Sequence, residues 1–549
     1  VERKPFEQRF KNLQTEAESW QSAWKDIKKY LAPTRGNFNE EPNKGKAIDH
    51  QTIIDGHASR ALNILASGMT SGLTSPSRPW FKIGLADNDL SDFNTVKLWL
   101  NTVQERMMAV FSRSNIYGAL HSIYYEIGAF GTASAILLED FKDVIRCRSY
   151  TTGEYYLSIG PDGRVNGFAR RYYMTVGQLV AEFGKSKLSL ATQALYDGGN
   201  IEKWVKVFCL IEVNDTRIID RADFKGMPYR SAYWEESAGP GVFLRVSGFN
   251  DFPILAPRWD VATTYDVYGR SPGWDGLGDI KMLQKMQRDK LIALDKVVDP
   301  PVQADSSVDG DPNTLPGGLS RSSATAPNAG VKAIYQINPD FNALENSIDK
   351  TRAAISQTFY SDLFMMIANA DRANMTAREI VERHEEKLLM LGPVLERLES
   401  ELLDPLIERT FNIMVRAGII PQPPEELQGA DLKVEYISML AQAQKMVGTT
   451  AIEQTVVFAG NLMGAFPEVK DVLDADSAVR EYSDLVGVSP KILRSREQVD
   501  KIREERAKAA EAQKNAEGTG LAIQGAKLLS ETKIGQGSAL DALVAGSGR

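Results

Sequence analysis

The chain is poor in the residues that usually announce chemistry. Only two cysteines, Cys147 and Cys209, and four histidines, His50, His57, His121 and His384, occur among 549 residues. Two isolated thiols in apolar, strand-like text support neither a disulfide scaffold nor a cysteine metal site, and they read as inert core residues. His384 lacks the second histidine of an H-E-x-x-H zinc motif, which places it at a helix interface rather than on a metal. No G-x-x-x-x-G-K-[ST] loop is present, so the chain is not a P-loop motor. The glycines of GWDGLGD, 273–279, miss the dinucleotide fingerprint and read as a turn and helix entry near Asp279. No Ser/His/Asp or Cys/His set stands out, and pairs such as Glu385 and Glu386 sit among Lys and Arg as on a solvated helix face. Cofactor binding has no basis, and an enzyme reading has little.

Also missing are long apolar runs and a charge excess of one sign. No segment approaches the ~20 apolar residues of a membrane helix, and VERKPFEQRF lacks the apolar core of a secretory signal, so the protein is expected to be made inside a cell. With 64 Lys plus Arg against 72 Asp plus Glu, a formal charge of −8 gives no general attraction to nucleic acid or anionic lipid. What the chain has is length and apolar content, 43%, enough for a large core and about two to four domains.

The expected fold class is α+β, predominantly helical. Helices are predicted over 5–31, where Phe6, Leu13, Trp20, Trp24 and Ile27 share a face before Pro33, and over 57–76, 94–113 and 115–130. Alternating β-branched and aromatic text follows to about residue 260, with Gly160-Pro161-Asp162-Gly163 closing a hairpin between Tyr155–Ile159 and Val165–Tyr173. Two amphipathic helices come next, over 279–298 and 341–364. The first aligns Ile280, Leu283, Leu291, Leu294 and Val298; the second aligns Phe341, Leu344, Ile348, Ile355, Phe359 and Leu363. Twenty helical residues span about 30 Å, so the two match as an antiparallel rod. Such a rod cannot hide its own apolar faces, whereas neighbouring copies can.

Between these helices lies the oddest stretch, 299–340, carrying Pro300, Pro301, Pro312, Pro316, Pro327 and Pro339. Connections inside compact domains usually run about 4–6 residues, so packing from outside the chain is expected, and VKAIYQI, 331–337, reads as a strand in want of a partner; the alternative is a disordered linker, favoured by Ser306, Ser307, Ser320, Ser322 and Ser323. A third helix, 377–416, opens on a capping box at Thr376 and Glu379, with a kink expected at Gly392-Pro393. Helical text continues in LKVEYISMLAQAQKM, in AIEQTVVFAGNLMG and in a charged, Ala-rich tail from Arg494. The basic residues Lys281, Lys285, Arg288, Lys290 and Lys296 outnumber Asp279, Asp289 and Asp295, five to three. They fit a solvated helix face or proximity to a polyanion equally well.

Taken in order, RALNILASGMTSGLTSPSRPWFKI, the GPDGRV hairpin, YGRSP, LGDIKMLQKMQRDKL, VDPP and MTAREIVERHEEKLLMLGPVLERLESELLDPLIERTF resemble the podovirus-type head-to-tail connecting proteins, the portal proteins of short-tailed double-stranded DNA phages. The similarity spans about residues 50–415. It implies a portal-type fold: a wing over 1–270, stem helices over 279–298 and 341–364, a clip over 299–340, a tunnel loop over 365–375, a return helix and crown over 376–490, and a C-terminal barrel or tail over 491–549. It implies a homo-oligomeric ring, commonly a dodecamer, at one capsid vertex of the virion, assembled in the bacterial cytoplasm. Double-stranded DNA would pass through the ring. A separate terminase motor, tail adaptor proteins, and the major capsid and scaffolding proteins would be its partners, with no membrane and no cofactor. On this map Asn369, Asp371, Arg372 and Asn374 would face the channel, Lys281, Lys285, Arg288 and Lys290 would lie near DNA, and Asp305, Asp309, Asp311, Arg321 and Lys332 would form the clip docking surface. The competing readings are a non-enzymatic helical scaffold or internal virion protein, and an enzyme with an unrecognised site in the α+β region.

Overall fold

The computed structural model describes residues 2–38, 52–85, 94–304, 340–365, 390–427, 432–437, 450–463 and 498–509, less Asp220, Ala222 and Pro240, together with isolated positions within 305–339 and 440–479. Helix α1 (Lys4–Tyr30) starts with a proline in its first turn and ends on two lysines, matching the helix dipole. Its buried stripe of Phe6, Phe10, Leu13, Ala17, Trp24 and Ile27 recurs at helical spacing. Helix α2 (His57–Leu73) is rich in small residues, and Gly68 earns that composition: a Cβ there would lie 2.5 Å from Cβ of Phe364. Helices α3 (Asn94–Arg113) and α4 (Ile116–Phe130) complete a helical N-terminal quarter, and Gly131 closes α4 in the left-handed region at φ 83°.

Strands β2 (Ser134–Asp140) and β3 (Val144–Tyr150) pair antiparallel, and β9 (Ile254–Leu255) joins the other edge of β2. A five-stranded antiparallel meander holds β4 (Tyr155–Ile159), β5 (Val165–Thr175), β6 (Trp204–Val213), β7 (Tyr229–Glu235) and β8 (Arg245–Phe249) in sequence order. Two short helices, α5 (Val176–Phe183) and α6 (Leu190–Asp197), interrupt it after β5. Aromatic edges join α1 to this sheet, with Phe10 5.0 Å from Phe208 and 5.5 Å from Tyr156 between ring centres. Both cysteines are buried and free, and burial pushes each thiol up to about 12.

Strand β1 (Phe81–Leu85) pairs with β12 (Leu432–Tyr436), Phe81 opposite Tyr436. The expectation of helix from residue 432 is therefore corrected: Leu432, Val434 and Tyr436 alternate with Lys433 and Glu435, and a distant strand takes up the ladder. The insert also differs from expectation. Strand β10 (Val302–Ala304) pairs with β11 (Val331–Ala333), so the partner sought by residue 331 onward comes from the insert itself. A chain that returns on itself after Pro301 satisfies those backbone groups locally. From residue 390 the chain is helical, and its register slips in a π turn, Glu399–Leu403, before α10 (Asp404–Arg416), where Pro405 supplies no N–H for the regular ladder. Helix α11 (Thr450–Met463) follows as expected, and residues 498–509 are helical. The capping box at Thr376 and Glu379, together with His50 and His384, lies outside the described residues.

Candidate functional site: the paired helices and their base

Helix α7 (Pro272–Asp275), capped by the Ser271 hydroxyl on the Trp274 amide, leads into α8 (Leu277–Val298). Helix α8 runs beside α9 (Phe341–Thr358), which is capped by Asp340 on the Ala343 amide. The second helix stops earlier than its periodicity predicts, because Tyr360 takes φ 51° and turns the chain before a further helical turn begins. That turn is held firmly all the same: Phe359, Leu363 and Phe364 are at most 1% exposed, and Phe364 sits in the Gly68 groove of α2.

The base of the pair is fastened by residues the sequence did not single out. Asp55, just before α2, is the hub. Its backbone N–H donates to Gln284 Oε1 at 2.9 Å, and its carbonyl accepts from Gln284 Nε2 at 2.8 Å. Its Oδ2 accepts from Gln287 at 2.9 Å and from the Arg352 guanidinium at 2.8 and 3.1 Å, while Oδ1 accepts the His57 amide at 2.9 Å. Burial would raise the Asp55 carboxyl; the His57 amide, Arg352 and Gln287 outweigh it and hold the group below the usual carboxylate range. The His57 ring reaches α9 through the Ser356 hydroxyl at 2.8 Å. One loop thus grips both helices at their inner ends.

Farther out the grip is gone. Ile280 and Leu283 are fully buried, yet Leu291, Leu294 and Val298, on the same stripe, are 49%, 45% and 76% exposed. The second helix shows the same gradient, with Ile348 and Ile355 buried and Phe341 and Leu344 only partly covered. Two of the four candidate basic residues are already engaged: Lys281 pairs with Asp26 of α1 at 2.6 Å, and Lys290 pairs with Glu345 across the helix pair. Lys285 and Arg288 are exposed. Lys281 and Lys290 therefore serve the fold, leaving Lys285 and Arg288 as the pair oriented to solvent.

The remaining candidates are spread. Asp311, Arg321 and Lys332 are exposed, Lys332 on β11, whereas Asp305 and Asp309 lie outside the described residues. Asn369, Asp371, Arg372 and Asn374 also lie outside them. No His/Cys/Asp/Glu group among the described residues has the arrangement to hold a metal ion, and no described helix is long and apolar enough to cross a membrane.

A helix pair anchored at one end and uncovered at the other, with a self-paired insert at its tip, is the geometry against which relatives can be judged. The family model described as bacteriophage head to tail connecting protein matches residues 3–493. The chain belongs to that family. A "Probable portal protein" of Bordetella phage BPP-1 is 45% identical over 518 residues, covering 94% of this chain and 93% of the relative. A "Portal protein" of Salmonella phage epsilon15 is 42% identical over 538 residues, covering 98% and 97%. In this head-to-tail connecting protein, similarity thus runs through the body and the helix pair alike.

Proposed function

We infer that the chain has a phage portal function and acts as a structural component where head meets tail. Family membership over residues 3–493 carries that reading, and it disfavours the scaffold alternative. Portal proteins as a class are structural, so the chain is read as conducting DNA rather than hydrolysing a nucleotide.

The finer proposal is a ring of identical subunits, a dodecamer, enclosing a channel for double-stranded DNA. The apolar gradient along α8 supports it: Leu291, Leu294 and Val298 are 49%, 45% and 76% exposed among the described residues, and a neighbour related by rotation supplies a cover without leaving a free edge. Residues 1–270 then form the wing, α8 and α9 the stem, 299–340 the clip, 365–375 the tunnel loop and 376–490 the return helix and crown. In this arrangement Lys285 and Arg288 approach the duplex, and Asn369, Asp371, Arg372 and Asn374 line its narrowest passage. A net charge of −8 suits a duplex that must slide, since many phosphate contacts bind tightly and make affinity strongly salt-dependent. Asp305, Asp309, Asp311, Arg321 and Lys332 present the docking surface for a terminase motor during filling and for tail adaptors afterwards. Capsid and scaffolding proteins surround the ring at one vertex, assembled in the host cytoplasm.

Negative-stain microscopy of the purified full chain tests the ring: cone-shaped particles with a central hole are expected, and filaments, dimers or globular monomers would overturn it. Deleting 365–375 tests the loop. Rings should still form, with DNA packaging or retention impaired; normal yields of filled, stable heads would reject the assignment.

A further inference from the structure

The helix that runs from residue 390 to Arg416 lies against one segment of the body, residues 251–260, and bonds to it along its length. Before the π turn, Arg397 donates to the Trp259 carbonyl at 3.3 Å and to the Asp260 carboxylate at 3.4 Å. Within the turn, Glu401 accepts the Arg258 amide at 2.9 Å and the Arg258 guanidinium at 3.2 Å. Past it, Arg409 donates to the carbonyls of Asp251 and Leu137 at 3.0 and 2.9 Å, and Asn412 and Arg416 reach the Asp251 carboxylate at 3.2 and 3.3 Å. Arg258 and Arg409 are 3% and 4% exposed. Arg258 also donates to the carbonyls of Asp266 and Gly163, at 2.7 and 2.8 Å, so the loop after β9 and the GPDG turn share its guanidinium.

The side chains of this helix follow two phases. Ahead of the turn the buried apolar residues are Leu391, Val394, Leu395 and Leu398; from the turn onward they are Leu402, Leu403, Leu406, Ile407, Ile413 and Met414. Drawn as one unbroken α-helix at 100° per residue, the second group would sit about 100° round from the first. The bonding row would break in the same sense, with Arg409, Asn412 and Arg416 about 75° beyond Arg397 and Glu401. One extra residue in a single π turn removes both offsets. Pro405 is not a sufficient cause, because a missing N–H permits a slip without setting the phase of side chains as distant as Leu391 and Met414.

We propose that the π turn Glu399–Leu403 is a register device: it holds one residue more than a regular helix needs, and that step brings Glu401 onto Arg258 while both halves of the helix stay seated on 251–260. Ser400 is the dispensable residue. Its hydroxyl turns back to the Arg397 carbonyl at 3.1 Å, and without it Glu401 falls into its slot, one helical step off the face shared with Arg397. The Arg258 amide then loses its acceptor. With the step in place, helix, loop and GPDG turn form one body, and the helix cannot rotate about its axis without moving the other two. In the proposed portal that body spans wing and return helix, although the device does not depend on the portal reading.

Deletions in the full chain test the device, in a Pro405→Ala background that opens a regular helix to the backbone. P405A alone should keep the slip, with hydrogen exchange at the peptide carrying the Arg258 amide equal to that of wild type. Removing Ser400 from P405A should give a chain that still unfolds cooperatively, its 390–416 helix protected and Arg258 exchange raised about tenfold or more. Removing Glu408 instead, although it is exposed, should abolish cooperative unfolding, because everything on one side of it turns by about 100°. Loss of folding or of Arg258 protection in P405A would make the proline the cause and overturn the proposal. So would a Ser400 deletion that fails to fold or keeps Arg258 protected, or a Glu408 deletion that folds equally well.

Discussion

The inner and outer halves of α8 are one helix with one apolar stripe and two different solvents. At the inner end Ile280 and Leu283 vanish into the body and Gln284 is bonded to the loop at Ile54 and Asp55; at the outer end Leu291, Leu294 and Val298 face water in the single subunit. Periodicity reports that a face is apolar, and says nothing of which chain will cover it. The distinction matters energetically, because the inner half is buried within the subunit and stabilises it, while the more exposed outer half contributes less there.

Substitutions along that helix separate the two roles. Leu283→Ala should destabilise the subunit by about 2–5 kcal/mol through an unfilled cavity, read as a lower denaturation midpoint at unchanged slope. Asp55→Ala should cost about 1–3 kcal/mol, because it leaves Arg352 and Gln287 without their shared acceptor, and calorimetry of the intact chain will show it. The Asp55 contribution should also depend on pH. Its carboxyl is held low in the fold, so the stabilisation present above its unfolded pKa is lost as the solution is acidified through the folded value; Asp55→Asn should flatten that acid limb of the unfolding curve. Leu294→Asp should leave subunit stability within about 0.5 kcal/mol yet block assembly by light scattering, and a loss of stability equal to that of Leu283→Ala would erase the comparison. Replacing Lys285 and Arg288 together by Ala should have the smallest effect on folding, also within about 0.5 kcal/mol.

Much of the fold was legible where the signal is local. The stripe of α1, the small residues of α2 and the GPDG hairpin each carry their instruction within a few neighbouring residues, and each formed as expected. What escaped notice depends on residues far apart. Asp55 has the look of an ordinary loop acid until Gln284 and Arg352, 229 and 297 positions away, are brought to it. LKVEY runs directly into helical text and declares itself a strand only beside FKIGL. The register slip just ahead of Pro405 was not anticipated, because Gly392-Pro393 drew the expectation of a break in this helix. At the candidate site, charge counts could not tell a lysine neutralised by Asp26 or Glu345 from one left in solvent.

The ladder joining Phe81 to Tyr436 carries a cost in time. On the ribosome, Phe81 emerges 355 residues (436 minus 81) before its strand partner exists. At about 5–20 residues per second the first strand waits from under half a minute to over a minute with an open edge. Nascent chains are thus exposed to mispairing during that interval, and slowing translation between these two segments should lower the yield of soluble protein more than slowing it after residue 436.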